Sequence, residues 1–377
     1  MINFDKNATT GTNKDIWRLM EKFAVEEYGN PSAQYSFADE SKKAVETSKE
    51  IIAELLHCQP EEIYFLASGS EGDNWVLNSL CRRGSVAITS EIEHHAVLNT
   101  FKILSEERNV HVIYLPVDSS GRIDQGKLEL HVPVSNLVSI MYVNNEIGTI
   151  QDIGKIGHLC RKEGVLFHTD AVQAFGKVHI NVDADCIDFL SCSGHKFHGP
   201  KGIGFVYVRH KYKDLMRSWT YGGTQQDNLV AGTENVPGIV GLAKAAEFAY
   251  ENFDKNQEKT HEVYWHFKSQ LKLALPEIKY NAENYNIENC LSICFVNYGI
   301  RGEELLEFLN EFGICASSGS ACNSSNKEPS HVLKAIGLTD DEASSSLRFS
   351  IDHENTVEEA NEVIKALCEG VKLLGKK

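Results

Sequence analysis

One lysine of this sequence stands in an unusual setting for a charged side chain. Lys196 lies in the run SGHKFHGPKG at residues 193–202, among histidines and glycines, after the apolar segment DFLSCS and just before the apolar segment GIGFVYV. Glycines let a backbone turn tightly beside a ligand, and a lysine that is desolvated or close to other cations can act as a nucleophile near neutral pH. The stretch therefore indicates a lysine that forms a Schiff base with a carbonyl compound.

Polar residues follow four other apolar segments in the same manner. They are the groups Ser68–Gly72, Glu91–His95, Asn144–Gly148 and Asp170–Gln173. Small residues that open a helix form an anion site, because free backbone N–H groups, hydroxyls and the helix dipole point the same way. Each group also has an ordinary explanation: an N-cap for the serines, a structural or surface role for the histidines, and a turn for the asparagines.

The apolar segments alternate with helix-like patterns from residue 40 to residue 210. Strands that alternate with helices indicate a largely parallel sheet with helices on its faces. We therefore expect an α/β fold with a mostly parallel sheet sandwiched by helices. Ligands of such sheets bind beyond the carboxyl ends of the strands, which is where the polar groups and Lys196 fall.

Together, these groups at one edge of a sheet predict a pyridoxal 5′-phosphate site. A lysine holds that cofactor as a Schiff base, a carboxylate keeps its pyridine nitrogen protonated, an anion cradle binds its phosphate and an aromatic side chain stacks on its ring. The sequence offers a candidate for every role. No metal site is predicted.

The chain changes character after the alternating region. Residues 236–275 read as one long charged helix or a pair of helices, and the remainder alternates again in a pattern typical of a compact α+β unit. A chain of 377 residues is too long for one simple core. We expect a large cofactor-binding domain at 15–255 and a smaller α+β domain built from 1–14 and 256–377.

Composition and charge exclude several classes of protein. A formal net charge of −16 argues against extended, non-specific binding to nucleic acid. No apolar run approaches the roughly 18 residues of a membrane span, and the first residues lack the pattern of a secretory signal. We expect a cytoplasmic protein that contacts neither nucleic acid nor membrane directly.

The ten cysteines form no CxxC pair, so most are expected to be reduced thiols packed as small hydrophobes.

Four motifs resemble the cysteine desulfurases, which are pyridoxal-phosphate enzymes of the class V aminotransferase group with fold type I. They are MYVNNEIGTIQDI at 141–153, HTDAVQ at 168–173, SGHKFHGPKG at 193–202 and SSGSACNSS at 317–325, in family order. The resemblance runs from about residue 4 to residue 360. It implies an enzyme that converts L-cysteine to L-alanine and passes the sulfur to an acceptor protein.

The resemblance implies a role for each matching residue around the cofactor ring. Lys196 would form the Schiff base, Asp170 would pair with the pyridine nitrogen and Gln173 would donate to the ring hydroxyl. His94 would stack on the ring and shuttle protons. Asn145 would contact both the cofactor and the substrate.

The resemblance also implies ligands for the two charged ends of the site. The phosphate ligands would be Gly69, Ser70, Ser193 and His195. Thr233 of AGTEN would reach the phosphate site of the other subunit, which implies a homodimer. Arg348 would grip the substrate carboxylate together with Asn145, because a planar guanidinium binds a carboxylate through two hydrogen bonds.

Cys322 is the cysteine that the resemblance singles out. It lies among small polar residues and would attack the substrate sulfur as a thiolate, keeping a persulfide. The long loop after it resembles the subgroup that carries sulfur outward on a mobile arm. Three acceptor systems stay open: iron–sulfur scaffolds, tRNA thiolation and DNA phosphorothioation.

The chain also departs from the family pattern. The departures are Lys6 and Asn7 in DKNATT, Tyr35 and Ala38 in GNPSAQYSFA, and Gln226 and Val230 in GGTQQDNLVAGTEN. They spare the ring ligands and the nucleophile, which indicates a specialised branch.

Two other functions stay open: a class V aminotransferase or β-lyase that needs no protein thiol, and a non-catalytic binding relative.

Overall fold

The structure, a computed structural model, describes residues 1–318 and 329–375 of the chain. Its strands, numbered along the chain, are β1 Ile2–Asn3, β2 Ile63–Leu66, β3 Val86–Ser90, β4 His111–Leu115, β5 Leu137–Ser139, β6 Leu166–Asp170, β7 Phe189–Ser193, β8 Gly204–Val208, β9 Lys279–Asn281, β10 Cys290–Cys294, β11 Ile314–Cys315, β12 Ser317–Ser318 and β13 Ser346–Ser350. Its helices are α1 Lys14–Val25, α2 Asp39–Leu56, α3 Gly69–Leu80, α4 His95–Arg108, α5 Gln125–His131, α6 Ile153–Glu163, α7 Gln225–Asn228, α8 Val236–Glu251, α9 Phe253–Ala274, α10 Gly302–Glu311, α11 His331–Ala335, α12 Asp340–Ser344 and α13 Val357–Leu374.

The main sheet has seven strands in the order β2-β8-β7-β6-β5-β3-β4. Strand β8 runs antiparallel to both of its neighbours, β2 and β7, and all the other neighbouring pairs are parallel. The carboxyl ends of β2, β3, β5, β6 and β7 therefore lie at one edge. This architecture confirms the mostly parallel sheet predicted from the alternating pattern.

Helices cover both faces of the main sheet. Val138 and Leu190 belong to a hydrophobic core that includes residues of α1, α2, α6 and α8. Their strand neighbours Leu137 and Phe189 belong to a second core with residues of α3 and α4. Because successive strand residues point to opposite faces, the two cores lie on opposite sides of the sheet.

A second, antiparallel sheet has the order β12-β13-β10-β9. Its core includes residues of α9, α10 and α13 as well as Ile2 and Phe4 from the start of the chain. Strand β1 runs parallel to β11, with Ile2 opposite Ile314. The first residues thus begin in the smaller core and then pass toward the main sheet.

Residues 236–275 form a helix pair, α8 and α9, which adjoin at Asn252. The domain limits expected from the sequence stay a prediction. Across residues 1–318 and 329–375, no helix combines the length and apolar character needed to cross a membrane.

Candidate active site

A cavity of about 350 Å³ lies at the carboxyl ends of β2, β6 and β7, the edge where the sequence predicted a ligand. It is lined by the predicted residues Gly69, Ser70, His94, Asn145, Asp170, Gln173, Ser193, His195, Lys196 and Arg348. Thr233 is exposed and does not line the cavity. Cys322 lies outside the described residues.

The start of α3 forms one end of the cavity. Ser68 is the N-cap, and its side chain accepts a hydrogen bond from the backbone N–H of Glu71. A Cβ at Gly69 would lie 2.4 Å from Val172 Cγ2, so the close approach of α3 to the segment after β6 requires glycine. Ser68 thus serves as an ordinary cap, while Ser70 lines the cavity beside the free N–H groups of a helix N-terminus.

Ser193 and His195 line the same cavity from the end of β7. His195 Nδ1 lies 3.1 Å from Thr9 Oγ1. Burial, together with the charges of Lys196 and Lys201, lowers the pKa of His195 to about 4, so its ring is neutral at physiological pH. A neutral imidazole still offers one N–H to an anion.

Lys196 ends a short helical turn that directly follows β7. Its Nζ donates hydrogen bonds to the backbone oxygens of Asn7 at 2.7 Å and Ala8 at 2.9 Å. The backbone N–H of Gly199 donates to Gly194 O, and a Cβ at Gly199 would lie 2.8 Å from that oxygen. The glycines around the lysine therefore make a tight turn that places its amine against the N-terminal segment.

Asp170 is the last residue of β6 and is buried. Its Oδ1 accepts the backbone N–H of Val172 at 2.9 Å. Burial raises the pKa of Asp170, and the charges of His94 and Lys196 oppose that rise. A buried carboxylate at the wall of a cavity needs a cationic or hydrogen-bonding partner, and a protonated pyridine nitrogen is such a partner. Asp170 thus fits the carboxylate that pyridoxal phosphate requires beside its pyridine nitrogen.

Asp73 and His168 belong to a buried polar layer beside Asp170. The two ring nitrogens of His168 lie 2.9 Å from Ser139 Oγ and 3.0 Å from Ser191 Oγ. Burial lowers the pKa of His168 to about 3, and burial and the charge of Asp170 raise the pKa of Asp73 well above its ordinary value. His168 is therefore neutral at physiological pH and adds no charge beside Asp170, and the raised pKa of Asp73 favours its uncharged form.

His94 is the N-cap of α4, and its Nδ1 accepts a hydrogen bond from the backbone N–H of Ala96 at 3.1 Å. An accepting Nδ1 leaves the proton of the neutral ring on Nε2. Burial lowers the pKa of His94, so a neutral ring with this tautomer lines the cavity. The adjacent His95 instead packs on His331, with ring centroids 4.7 Å apart.

Arg348 lies on β13 and reaches the cavity from the smaller sheet. Its Nη1 donates to the backbone oxygen of Asn145 at 3.0 Å, and its Nη2 donates to Asp5 Oδ1 at 2.5 Å. Its Nε is buried and has no hydrogen-bond partner within the described ranges. Of the two neighbouring asparagines, Asn144 forms the turn by accepting the N–H of Glu146, and Asn145 lines the cavity.

The described residues on either side of segment 319–328 lie at the cavity or contact a residue that lines it. Before them, Ser318 in β12 lines the cavity. After them, Ser330 Oγ donates to Glu146 Oε2 at 2.5 Å, and Glu146 lines the cavity as well. Cys322 is four positions after Ser318, and four residues span at most about 14 Å.

Asn7, a departure from the family signature, has a central place in the site. Its backbone oxygen accepts Gln173 Nε2 at 2.9 Å as well as Lys196 Nζ. Its side-chain Oδ1 accepts Lys177 Nζ at 3.3 Å. The sequence patterns identify neither of these contacts, because a backbone acceptor carries no side-chain signal and Lys177 follows no strand directly.

Asp5 and Asp73 also line the cavity without having been predicted. Asp73 lies one helical turn after Gly69, and this i,i+4 spacing is the signal that could have identified it. Asp5 precedes β2 by many residues, so no local pattern connects it to the site.

The remaining departures do not line the cavity. Lys6 pairs with Asp352, with Nζ and Oδ1 3.1 Å apart. Gln226 exchanges two hydrogen bonds with the backbone of the edge strand β2. Tyr35 and Val230 do not line the cavity.

Comparisons with known proteins agree with this geometry. A family model described as aminotransferase class-V matches residues 2–363. The chain belongs to this family. The cysteine desulfurase IscS of Clostridium botulinum is 40% identical over 379 residues, covering 98% of this chain and 94% of the relative.

Solved structures extend the likeness. A protein described as NifS-like superposes with a TM-score of 0.90 at 35% identity, covering 99% of this chain and 100% of that chain. SspA in complex with cysteine superposes with a TM-score of 0.82 at 34% identity, covering 93% and 99%. The predicted relationship to the cysteine desulfurases and the predicted fold are therefore confirmed.

Proposed function

We propose that the protein is a pyridoxal-phosphate-dependent cysteine desulfurase that converts L-cysteine to L-alanine and carries the sulfur as a persulfide on Cys322. The observation that carries this proposal is the cavity that gathers Lys196, Asp170 and Arg348 from three elements. A relative named cysteine desulfurase that matches nearly the whole chain, and a structural neighbour in complex with cysteine, support the same reaction.

Pyridoxal phosphate, when bound, supplies an electron sink that weakens the bonds at the substrate Cα and Cβ. Lys196 would hold it covalently, and Asp170 would hold the pyridine nitrogen. The phosphate would bind between the start of α3 and the end of β7, through Ser70, Ser193 and His195. These donors fit a dianionic group because free N–H groups and hydroxyls surround it.

Three side chains of this cavity position the substrate and move its protons. Arg348 would bind the carboxylate of L-cysteine, because Nη1 and Nη2 each carry a second N–H beyond those donated to Asn145 and Asp5. Lys196 Nζ, once released from the cofactor, would remove the Cα proton. His94 carries its proton on Nε2 and uses Nδ1 as a cap, so it suits the donating half of proton transfer rather than deprotonation of a thiol.

Cys322 would complete the reaction. Its thiolate attacks the sulfur of L-cysteine, the substrate C–S bond breaks, a new S–S bond forms, and the former Cβ gains a proton to become the methyl group of alanine. The short chain distance from Ser318 supports this role, because Ser318 lines the cavity. Other thiols are poor candidates: burial raises the pKa of Cys290 to about 11 and that of Cys81 to about 12.

The experiment that tests this function compares Cys322→Ala with Cys315→Ala. Cys315 is a half-buried thiol seven positions earlier and serves as the matched control. With L-cysteine as substrate, we expect Cys322→Ala to lose the persulfide found by peptide mass spectrometry and the sulfide released by reductant, while the yellow cofactor absorbance stays. Cys315→Ala should retain all three.

Other results would favour other functions. Full sulfide release by Cys322→Ala would contradict the nucleophile and favour a β-lyase or aminotransferase that needs no protein thiol. A wild-type protein that binds no pyridoxal phosphate would favour a non-catalytic relative. Persulfide that passes from Cys322 to one purified acceptor protein would decide among the iron–sulfur, tRNA thiolation and DNA phosphorothioation systems.

The proposed active form is a homodimer in which Thr233 of one subunit completes the phosphate site of the other. Thr233 is exposed in the single chain and lies outside its cavity, which is compatible with this role. We expect light scattering to give a dimer mass and Thr233→Ala to weaken cofactor binding. A monomer with full cofactor affinity would contradict the proposal.

A further inference from the structure

Lys177 lies next to the active site, but the proposed reaction gives it no role. It lies in the turns that follow β6, at the wall of a second cavity of about 390 Å³ that Lys196 also lines. Its Nζ donates to Gln173 Oε1 at 2.8 Å and to Asn7 Oδ1 at 3.3 Å. Its backbone oxygen accepts Gln257 Nε2 at 2.7 Å, so its main chain is anchored as well.

These contacts determine which way the amide of Gln173 faces. A protonated lysine amine can only donate, so the atom of Gln173 that contacts Lys177 in this form is the oxygen. The nitrogen then points to the backbone oxygen of Asn7, 2.9 Å away, which also accepts Lys196 Nζ. An amide nitrogen carries two N–H groups, so one remains after the bond to Asn7 is made.

We propose that Lys177 is a positioning residue that orients the amide of Gln173, so that an N–H of Gln173 faces the cofactor. The inference rests on the proposed function, in which Gln173 donates to the ring hydroxyl beside the Schiff base of Lys196. Lys177 itself touches neither the substrate nor the cofactor in this assignment. It acts through Gln173, whose oxygen would be buried without a donor if Lys177 were absent.

The charge of Lys177 is separable from its hydrogen bond. Burial and the charge of Lys196 lower the pKa of Lys177 to about 7, so it is cationic below that pH and largely neutral above it. A neutral amine still donates its N–H groups. If Lys177 still affects the cofactor above pH 7, where it is largely neutral, the hydrogen bond rather than the charge causes that effect.

Several other charged or titratable groups face this cluster, and the Lys177 variants leave all of them in place. Those around Lys177 are Lys196, Arg348, Asp352 and Cys290. Those lining the site cavity are Asp5, Asp73, His94, Glu146, Asp170 and His195. Those lining the second cavity are Lys6, His198, His353, Glu354, Lys255 and Lys259.

The test is an absorbance titration of the cofactor Schiff base in the complete enzyme, without substrate. A hydrogen-bond donor to the ring oxygen stabilises its anion and so lowers the pKa of the neighbouring Schiff-base proton. We expect Lys177→Met, which keeps the length of the side chain and removes its donor, to raise that pKa by about one unit. Lys255→Met is the matched control, because Lys255 is an exposed lysine of the same second cavity.

A double-mutant cycle shows whether Lys177 acts through Gln173. If it does, Gln173→Met should raise the Schiff-base pKa by itself, and adding Lys177→Met should change it no further. Lys177→Arg, which keeps a cationic donor, should stay close to wild type. Additive shifts in the double variant, or an unchanged pKa in Lys177→Met, would overturn the inference.

Failure of the inference is distinguishable from failure of the proposed function. If wild-type protein forms no Schiff base, or if Lys196→Ala leaves the cofactor spectrum unchanged, the function itself is wrong. If the wild-type spectrum is normal and only the Lys177 variants fail to shift it, this inference alone is wrong. Should Lys177→Met not fold, Lys177→Leu, which also lacks a donor, gives the same measurement with the same expected rise.

Discussion

Asp5 and Arg348 form a hydrogen-bonded ion pair at the wall of the active-site cavity, with Nη2 donating to Oδ1 at 2.5 Å. The guanidinium proposed to bind the substrate carboxylate therefore already has a carboxylate partner in the chain. Asp5 holds the orientation of Arg348, and its negative charge competes with the substrate for the same cation.

The ion pair leads to a prediction about substrate affinity. Asp5→Asn keeps an oxygen that can accept from Nη2 and removes the competing charge, so we expect KM for L-cysteine to fall by roughly 3- to 10-fold. Arg348→Lys, which loses the planar fork, should instead raise KM by at least about 10-fold. Steady-state kinetics on both variants checks this, and an unchanged or higher KM in Asp5→Asn would contradict it.

A second prediction separates two neighbouring buried acids. Asp170→Asn should lower kcat by about 100-fold or more while the protein still binds pyridoxal phosphate, because the ring loses the charge that stabilises its protonated nitrogen. Asp73→Asn is the matched control, because Asp73 is a buried acid that lines the same cavity and has no role in the proposed reaction; burial and the charge of Asp170 raise its pKa, which favours the uncharged form that an amide mimics. Its kcat should stay within about 5-fold of wild type. Equal losses in the two variants would contradict the assignment.

A third prediction concerns pH and the contact between Glu146 and Ser330. Burial raises the pKa of Glu146 to about 7 from an ordinary value of 4.5. Between pH 4.5 and 7 the unfolded chain therefore binds fewer protons at this residue than the folded chain does, so this group makes the free energy of unfolding fall as pH rises. Glu146→Gln should remove that loss and stabilise the protein by roughly 2 kcal/mol at pH 8, with little effect at pH 5. Urea unfolding at both pH values checks this, and the same difference at each pH would contradict it.

A fourth prediction concerns Lys6, the departure that pairs with Asp352 and Glu354. Burial alone would raise the pKa of Asp352, but the hydrogen bond with His198 and the charge of Lys6 hold it below its ordinary value. The stabilisation is thus fully present above about pH 4 and is lost as pH falls further. Lys6→Asn should lower the free energy of unfolding by about 2 kcal/mol at pH 7.

The matched control for Lys6 is Lys255→Asn, which alters an exposed lysine of the same second cavity. It should change the free energy of unfolding by less than about 0.5 kcal/mol. Equal stability of Lys6→Asn and wild type at pH 7 would show that the ion pair with Asp352 contributes nothing.

The sequence predicts the part of this site that strand ends supply. Asp170 ends β6 and Lys196 ends the short turn after β7, and the topology of a largely parallel sheet brings such positions to one edge. Local patterns suffice there because the alternation of apolar and polar segments already determines the order of the elements.

The rest of the site depends on contacts that no local pattern encodes. Asp5 meets Arg348 across 343 positions of sequence, and Asn7 contributes a backbone oxygen, which any residue type could supply. Lys177 looks like a surface lysine in a turn, and only its contact with Gln173 shows otherwise. Cys322 was identified by its motif alone, and its position lies outside the described residues.

The threading of the N-terminal segment has a consequence for biosynthesis. The first residues pair with β11 through Ile2 and Ile314, and the N–H of Asn7 donates to Ser350 Oγ, while the oxygen of Asn7 receives Lys196. A ribosome therefore makes this segment about 300 residues before its partners in β11 and β13. The surroundings of Lys196 are complete only when residue 350 has emerged, so the strands of the main sheet, which end at Val208, leave the ribosome well before the proposed cofactor site is complete.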